Sequence, residues 1–260
     1  MSADRPPPRP RDRARAWIPR QHGAWAMLIL PLLLGVAASR PTGWQIVLGG
    51  TALAAYLASA VLQAWSRARR SPEYRSPILV YGAAFVVPGA VLVVAFPPLA
   101  LVLLVAVPAA LVVFHGAKPG TRRDLANSVA QVAQALVLVP AAAFVSGEFE
   151  IDRVFAYTAI AAGYLLGTVL VVRSVLRERG NVAVATLSIG AHLALAAVAI
   201  LLLPAGYGVV ALALAGRAVG LPFLQRRLAR GRHPLRPIHV GLVEIAASVA
   251  VCVVAFAVPI

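Results

Sequence analysis

The sequence predicts an all-α polytopic membrane protein of about nine transmembrane helices, and three observations carry that reading. Hydrophobic residues make up 60% of the 260-residue chain and charged residues 13%, against roughly a half and a quarter in soluble domains. The apolar residues gather in stretches near the ~20 residues that a helix needs to cross a hydrocarbon core about 30 Å thick. The basic residues between the stretches alternate in abundance, with 22 of the 24 Lys and Arg on one side.

Residues 1–16, MSADRPPPRPRDRARA, are rich in Pro and Arg and have no apolar period. They read as a disordered basic tail, with a single transmembrane domain over 17–260. A signal peptide also begins basic, and Ala37-Ala38-Ser39 is small enough to resemble a cleavage site. Eight further crossings favour an uncleaved first helix. The crossings are expected near 21–39, 44–65, 77–96, 98–114, 125–146, 154–173, 183–203, 205–221 and 239–258. Pro97-Pro98 alone separates the third from the fourth, and the region of Pro204 the seventh from the eighth. A single kinked helix competes at both places.

Orientation follows from Lys and Arg in short loops. Arg5, Arg9, Arg11, Arg13, Arg15 and Arg20 precede the first crossing. Arg67, Arg69, Arg70 and Arg75 lie between the second and third, and Lys118, Arg122 and Arg123 between the fourth and fifth. Arg173, Arg177 and Arg179 follow the sixth. Arg217, Arg226, Arg227, Arg230, Arg232 and Arg236 belong to the region from the eighth to the ninth. The other side has only Arg40 and Arg153, beside the acids Glu148, Glu150 and Asp152. The amino terminus is therefore expected in the cytoplasm and the carboxyl terminus outside, in a bacterial cytoplasmic membrane. The net charge of +15 then reflects topology and contact with anionic lipid heads. No basic domain stands apart from the membrane segments, which argues against a nucleic-acid partner.

Polar side chains inside a membrane usually face protein or water, so their helical spacing is informative. Asp124, Asn127, Gln131 and Gln134 share an arc of roughly 80° on the fifth crossing. Tyr56, Ser59 and Gln63 share a face of the second. Asn181, Ser188 and His192 do so on the seventh, and Glu244, Ser248 and Cys252 on the ninth. Arg20, Gln21 and His22 stand at the mouth of the first. One reading is a cavity open to the cytoplasm, basic at its rim and lined by amides. The other is hydrogen bonding between helices. Glu244 is the only acid well inside a crossing and needs a partner; Arg217, at similar depth on the preceding crossing, is the candidate. Gly163 and Gly167 read as a close-packing step. The lone Cys252 allows no internal disulfide.

No GxxxxGK[ST] loop, HExxH or Cys/His cluster is present. The loops on the basic side carry only Glu73, Asp124 and Glu178 as acids, so no metal site or cofactor is predicted.

Four segments carry a family resemblance: PRQHGAWAMLILPLLLG (Pro19–Gly35), GTRRDLANS (Gly120–Ser128), LGTVLVVRSVLRERGN (Leu166–Asn181) and HVGLVEIAAS (His239–Ser248). They resemble the YwiC-like family of bacterial integral membrane proteins, with QHGAW the specific part. Nine crossings with a basic 4–5 loop also look, more distantly, like the UbiA-type intramembrane prenyltransferases. That likeness implies a nine-helix bundle around a central cavity, in which Mg²⁺ on two Asp-rich motifs holds a prenyl diphosphate. Both motifs are missing here. The corresponding loops read AWSRARRSPEYRSP and RSVLRERGNVAV, with arginine where carboxylates would stand.

The leading functional expectation is a membrane protein that binds an anionic amphiphile, an isoprenoid or lipid phosphate. Arg69, Arg70, Lys118, Arg122, Arg173 and Arg177 would compensate the head-group charge, with Gln63, Asn127, Gln131 and Gln134 lining the cavity. A catalytic form would be a metal-independent or degenerate prenyl or lipid-phosphate transferase, with arginine stabilising a leaving phosphate. A transporter or channel using Glu244, His192 and the amide stripe is one alternative. A non-catalytic scaffold or assembly protein is the other.

Overall fold

A computed structural model of the chain describes residue 17 and residues 24–68, 71–116, 125–231 and 235–260. Every regular element among them is helical. The helices are α1 (Ala24–Ala37), α2 (Gly43–Arg67), α3 (Arg75–Ala95), α4 (Leu99–Gly116), α5 (Leu125–Leu136), α6 (Leu138–Phe144), α7 (Ile151–Val172), α8 (Val182–Leu202), α9 (Ala205–Arg230) and α10 (Pro237–Ala257). A short 3₁₀ turn, Pro72–Tyr74, leads into α3, and a π-helical turn, Arg173–Arg177, extends α7. One isolated bridge joins Ser39 to Phe149.

Eight spans among the described residues are long and apolar enough to cross a membrane, with α5 and α6 together forming one of them. The first expected crossing corresponds to α1, whose 14 residues reach about 21 Å. The arginine-rich tail and residues 18–23 before α1 lie outside the described residues.

Local chemistry accounts for the helix ends. Pro140 cannot donate to the Leu136 carbonyl and its ring crowds that turn, which is where α5 gives way to α6. Helix α3 stops at Ala95 and α4 starts at Leu99, so Pro97-Pro98 breaks the helix. Gly180, at φ +83°, ends the α7 extension in the left-handed conformation that glycine tolerates. Asn181 then caps α8, its side chain accepting from the Ala183 and Val184 amides at 3.1 and 3.3 Å. Asn181 is thus an exposed helix cap and not part of a buried polar face with Ser188 and His192.

The internal contacts form two compact units, Met1–Gln21 with Thr42–Gln131 and His22–Pro41 with Val132–Ile260. In the first, Trp44 meets Phe96 edge-on with ring centroids 5.5 Å apart. A Cβ on Gly89 would touch Thr51 at 3.7 Å. Both pairs sum to 140 in residue number, the signature of an antiparallel α2–α3 hairpin. Trp17 packs on Tyr81, whose hydroxyl donates to the Trp17 carbonyl at 3.0 Å.

The second unit holds α1, α6 and the four helices α7–α10. Gly35 of α1 lies so close to α6 that a Cβ there would come within 2.6 Å of the Val139 carbonyl. A buried core of Leu30, Leu34, Val139, Tyr157, Leu165 and Val251 joins α1, α6, α7 and α10. Gly163 faces Leu195 and Gly167 faces His192, which sets α7 antiparallel to α8. Ile200 lies by Gly208 and His192 by Arg217, so α8 and α9 form a hairpin about Pro204 and not one bent helix. Arg217 by Glu244 and Gly206 by Val254 set α9 antiparallel to α10. Up-and-down order therefore brings Arg173, Arg177, Arg179, Arg226, Arg227, Arg230 and Arg236 to one end of this unit.

Candidate functional site

Four helices of the second unit each bring a polar side chain to one buried point. Arg217 is twelve residues into α9 and Glu244 seven residues into α10, about 18 and 10 Å along their helices. The Arg217 Nη1 donates to Glu244 Oε2, and the two side chains are only 6% and 10% exposed. Two charges leave water together only when their geometry and further hydrogen bonds repay the desolvation.

Those further bonds come from α7 and α8. Thr168 Oγ1 donates to Glu244 Oε2 at 2.9 Å. Tyr164, one turn earlier and so on the same face, places its hydroxyl 3.0 Å from the Glu244 carbonyl and 2.8 Å from Ser248 Oγ. The Arg217 guanidinium also stands 5.8 Å from the Tyr164 ring centroid, within cation–π range. On α8, His192 Nδ1 lies 2.7 Å from the Ser188 carbonyl. A carbonyl only accepts, so Nδ1 carries the proton. Nε2 is then an acceptor and takes a bond from Arg217 Nη2 at 3.2 Å. His192 is thereby a neutral imidazole with both nitrogens occupied. Three buried polar atoms in this cluster have no protein partner: Glu244 Oε1, Arg217 Nε and Ser188 Oγ.

An apolar cleft of about 310 Å³ runs from this cluster toward the Pro204 turn, between α7, α8, α9 and α10. His192 and Tyr164 wall its inner end. Leu202, Leu203 and Tyr207 lie at the other, 11 residues and about 16 Å away along α8. The polar atoms of its polar wall residues point elsewhere. Tyr207 donates to the Tyr157 hydroxyl at 3.4 Å, and Tyr157 donates to the Ala255 carbonyl at 3.0 Å. What remains facing the cleft is mostly hydrocarbon.

The arrangement differs from the amide-lined cavity expected near the basic end. The cleft lies toward the Pro204 turn, away from the arginines that follow α7 and end α9, and neither Gln63 nor the α5 stripe lines it. Along α5, Asn127 is buried, Gln134 half-buried and Gln131 exposed, so the stripe is not one buried face. Asn127 packs against Gly116, where a Cβ would lie 2.8 Å from its Oδ1. Gln63 is half-buried and donates to Ser59 at 3.2 Å. Arg173, expected to meet a ligand, is paired with Glu178; Arg177 is exposed. Arg20, Gln21, His22, Arg69, Arg70, Lys118, Arg122 and Asp124 lie outside the described residues. The expected Arg217–Glu244 pair forms, and Gly163 and Gly167 do sit at close helix contacts. Spacing along the chain did not single out Tyr164 or Thr168. A Tyr and a Thr four apart on one helix were the available signal.

Comparison with known proteins settles the family. A family model described as YwiC-like protein matches residues 18–143. The chain is also 33% identical over 188 residues to a Bacillus subtilis (strain 168) protein described as uncharacterised protein YwiC, across 70% of this chain and 76% of that one. The chain belongs to the YwiC-like family. With eight full-length apolar spans, this YwiC-like chain is a multi-pass membrane protein. Its buried ion pair and cleft lie beyond the segment that the family model covers. No solved structure matches the chain.

Proposed function

We propose that this YwiC-like protein binds an anionic amphiphile of the membrane, an isoprenoid or lipid phosphate, with its hydrocarbon part in the α7–α10 cleft. The observation that carries the reading is the cleft itself: an apolar space of about 310 Å³, within the usual range of ligand sites, walled by membrane-spanning helices. The anionic head rests on a separate observation, the 22 of 24 cations assigned to one side.

Magnitude selects among amphiphiles. From Ala156 in the cleft to Arg177 is 21 residues along α7 and its π turn, about 32 Å. One leaflet of a 30 Å core offers only about 15 Å. A ligand engaging both places is longer than an ordinary acyl chain, which favours a long isoprenoid phosphate over a common phospholipid.

Mass spectrometry of lipid retained by the detergent-purified protein tests this. A stoichiometric phosphorylated isoprenoid is the expected result. Retention of bulk phospholipid alone, in membrane proportions, would overturn the isoprenoid assignment. Transport draws on Glu244 and His192 instead, but both are held by fixed partners in adjoining helices. Solute flux in liposomes would favour it.

A further inference from the structure

We infer that the cleft is filled sideways from the bilayer, by a hydrocarbon chain, through a seam between α7 and α8. The inference rests on the amphiphile reading and deepens it by locating the route and the part of the ligand recognised.

The seam follows from which wall residues are exposed. Along α8, Val198 and Leu202 both line the cleft and are 51% and 76% exposed. Ala159 on α7 does the same. The floor, by contrast, is buried: Ala199 of α8, Tyr207 of α9 and Val251 of α10. The cleft therefore opens along its side, over the stretch where α7 presents Ala156 and Ala159 as its smallest residues. Gly163 against Leu195 closes the seam at the inner end, since even a Cβ at 163 would lie 2.9 Å from Leu195 Cδ2. These residues all belong to spans long and apolar enough to cross a bilayer. An opening on the side of such spans gives a bilayer hydrocarbon chain its way in.

Chemistry then fixes the recognised group. Few hydrogen-bonding groups face the cleft: both His192 nitrogens are in protein bonds and the Tyr207 hydroxyl proton goes to Tyr157. A polar head placed here would lose its water and gain little in return. An apolar space about 16 Å long between four helices suits an extended chain segment. The cleft grips a chain, and the head group lies elsewhere.

Photolabelling of the full-length protein in nanodiscs tests this, with adducts mapped by peptide mass spectrometry. Two probes are used separately: a phosphatidylcholine with a diazirine at the acyl terminus, and a long-chain polyprenyl phosphate with a diazirine at the chain terminus. Adducts on the buried floor, at Ala199 and Val251, are expected from a chain that has passed the seam. Val198→Trp should cut floor adducts several-fold while leaving those on outward-facing Leu193 unchanged. Ala159→Leu blocks the opposite lip and serves if the tryptophan variant fails to fold. Adducts confined to outward residues, or floor adducts unaffected by both folded variants, would overturn the seam even if lipid still co-purifies. Floor adducts lost in the variants but equal for the two probes would support the seam and remove the phosphate part of the functional reading.

Discussion

The guanidinium of Arg217 is shared between two partners on different helices, the Glu244 carboxylate of α10 and the His192 imidazole of α8. One cation thereby ties α8, α9 and α10 together at a single point, and Thr168 and Tyr164 add α7 through Glu244.

Removal of one charge at this point is the first test. Arg217→Gln or Glu244→Gln leaves an uncompensated buried charge, at a cost of about 3–5 kcal/mol. The double variant should cost less than the two single changes summed. Arg40–Glu148 is the natural control, with the same chemistry at 3.0 Å but side chains 69% and 66% exposed. Glu148→Gln should cost less than about 1 kcal/mol. Thermal unfolding in detergent measures all four; simple additivity at Arg217 and Glu244 would mean that they do not interact.

The spans were legible because hydrophobic length is a local property, and the observed helices fall within a few residues of those expected, apart from α9, which continues to Arg230. The Arg217–Glu244 pair was legible for a different reason: each is an isolated charge at comparable depth, and burial demands a partner. Tyr164 and Thr168 were not legible. Their role depends on how α7 is rotated against α10, which no spacing within α7 reveals. The cleft was invisible for a third reason. Val198, Leu202 and Ala159 have the composition of any lipid-facing helix, so a hydrocarbon-lined cavity leaves no mark in the sequence. The α5 stripe is ambiguous in sequence because amides at helical spacing also serve packing, as Asn127 does beside Gly116.

Topology is open to direct measurement. Reporters inserted after residues 121 and 180 should report the cytoplasmic side, where basic loops are retained. Insertions after residues 41, 150 and 204 should report the opposite side. Signals from the same side at 180 and 204 would contradict the α8–α9 hairpin about Pro204, whereas a cytoplasmic 204 with an external 180 would invert the orientation.

Thr168 offers a finer test of the cluster. Glu244 Oε2 accepts from both Arg217 and Thr168, while Oε1 has no protein partner. Thr168→Val keeps the shape and removes one donor to a buried carboxylate, a loss of about 1.5–3 kcal/mol. Tyr164→Phe should cost less, about 0.5–1.5 kcal/mol, because Ser248 Oγ still donates to the Glu244 carbonyl at 2.9 Å. Chemical denaturation in mixed micelles would rank the two. The reverse order would place the decisive bond at Tyr164 and not at the carboxylate.

Gly167 and Gly163 look equivalent in sequence, yet their neighbours differ in freedom to move. A Cβ at 167 would meet His192 Nε2 at 2.9 Å and Cε1 at 3.1 Å. That ring is held at Nδ1 by the Ser188 carbonyl and at Nε2 by Arg217, so it cannot turn aside without breaking a bond. A Cβ at 163 would meet only the tip of Leu195 at 2.9 Å, and Leu195 is exposed enough to change rotamer. Gly167→Ala should therefore cost about 1–3 kcal/mol by overpacking. Gly163→Ala should cost less than about 1 kcal/mol, and its better helix propensity offsets part of that. Adding His192→Ala to Gly167→Ala should recover most of the overpacking cost, because it removes the clashing ring. Failure of that rescue in thermal unfolding would show that Gly167 acts through the backbone of α7 and not through His192.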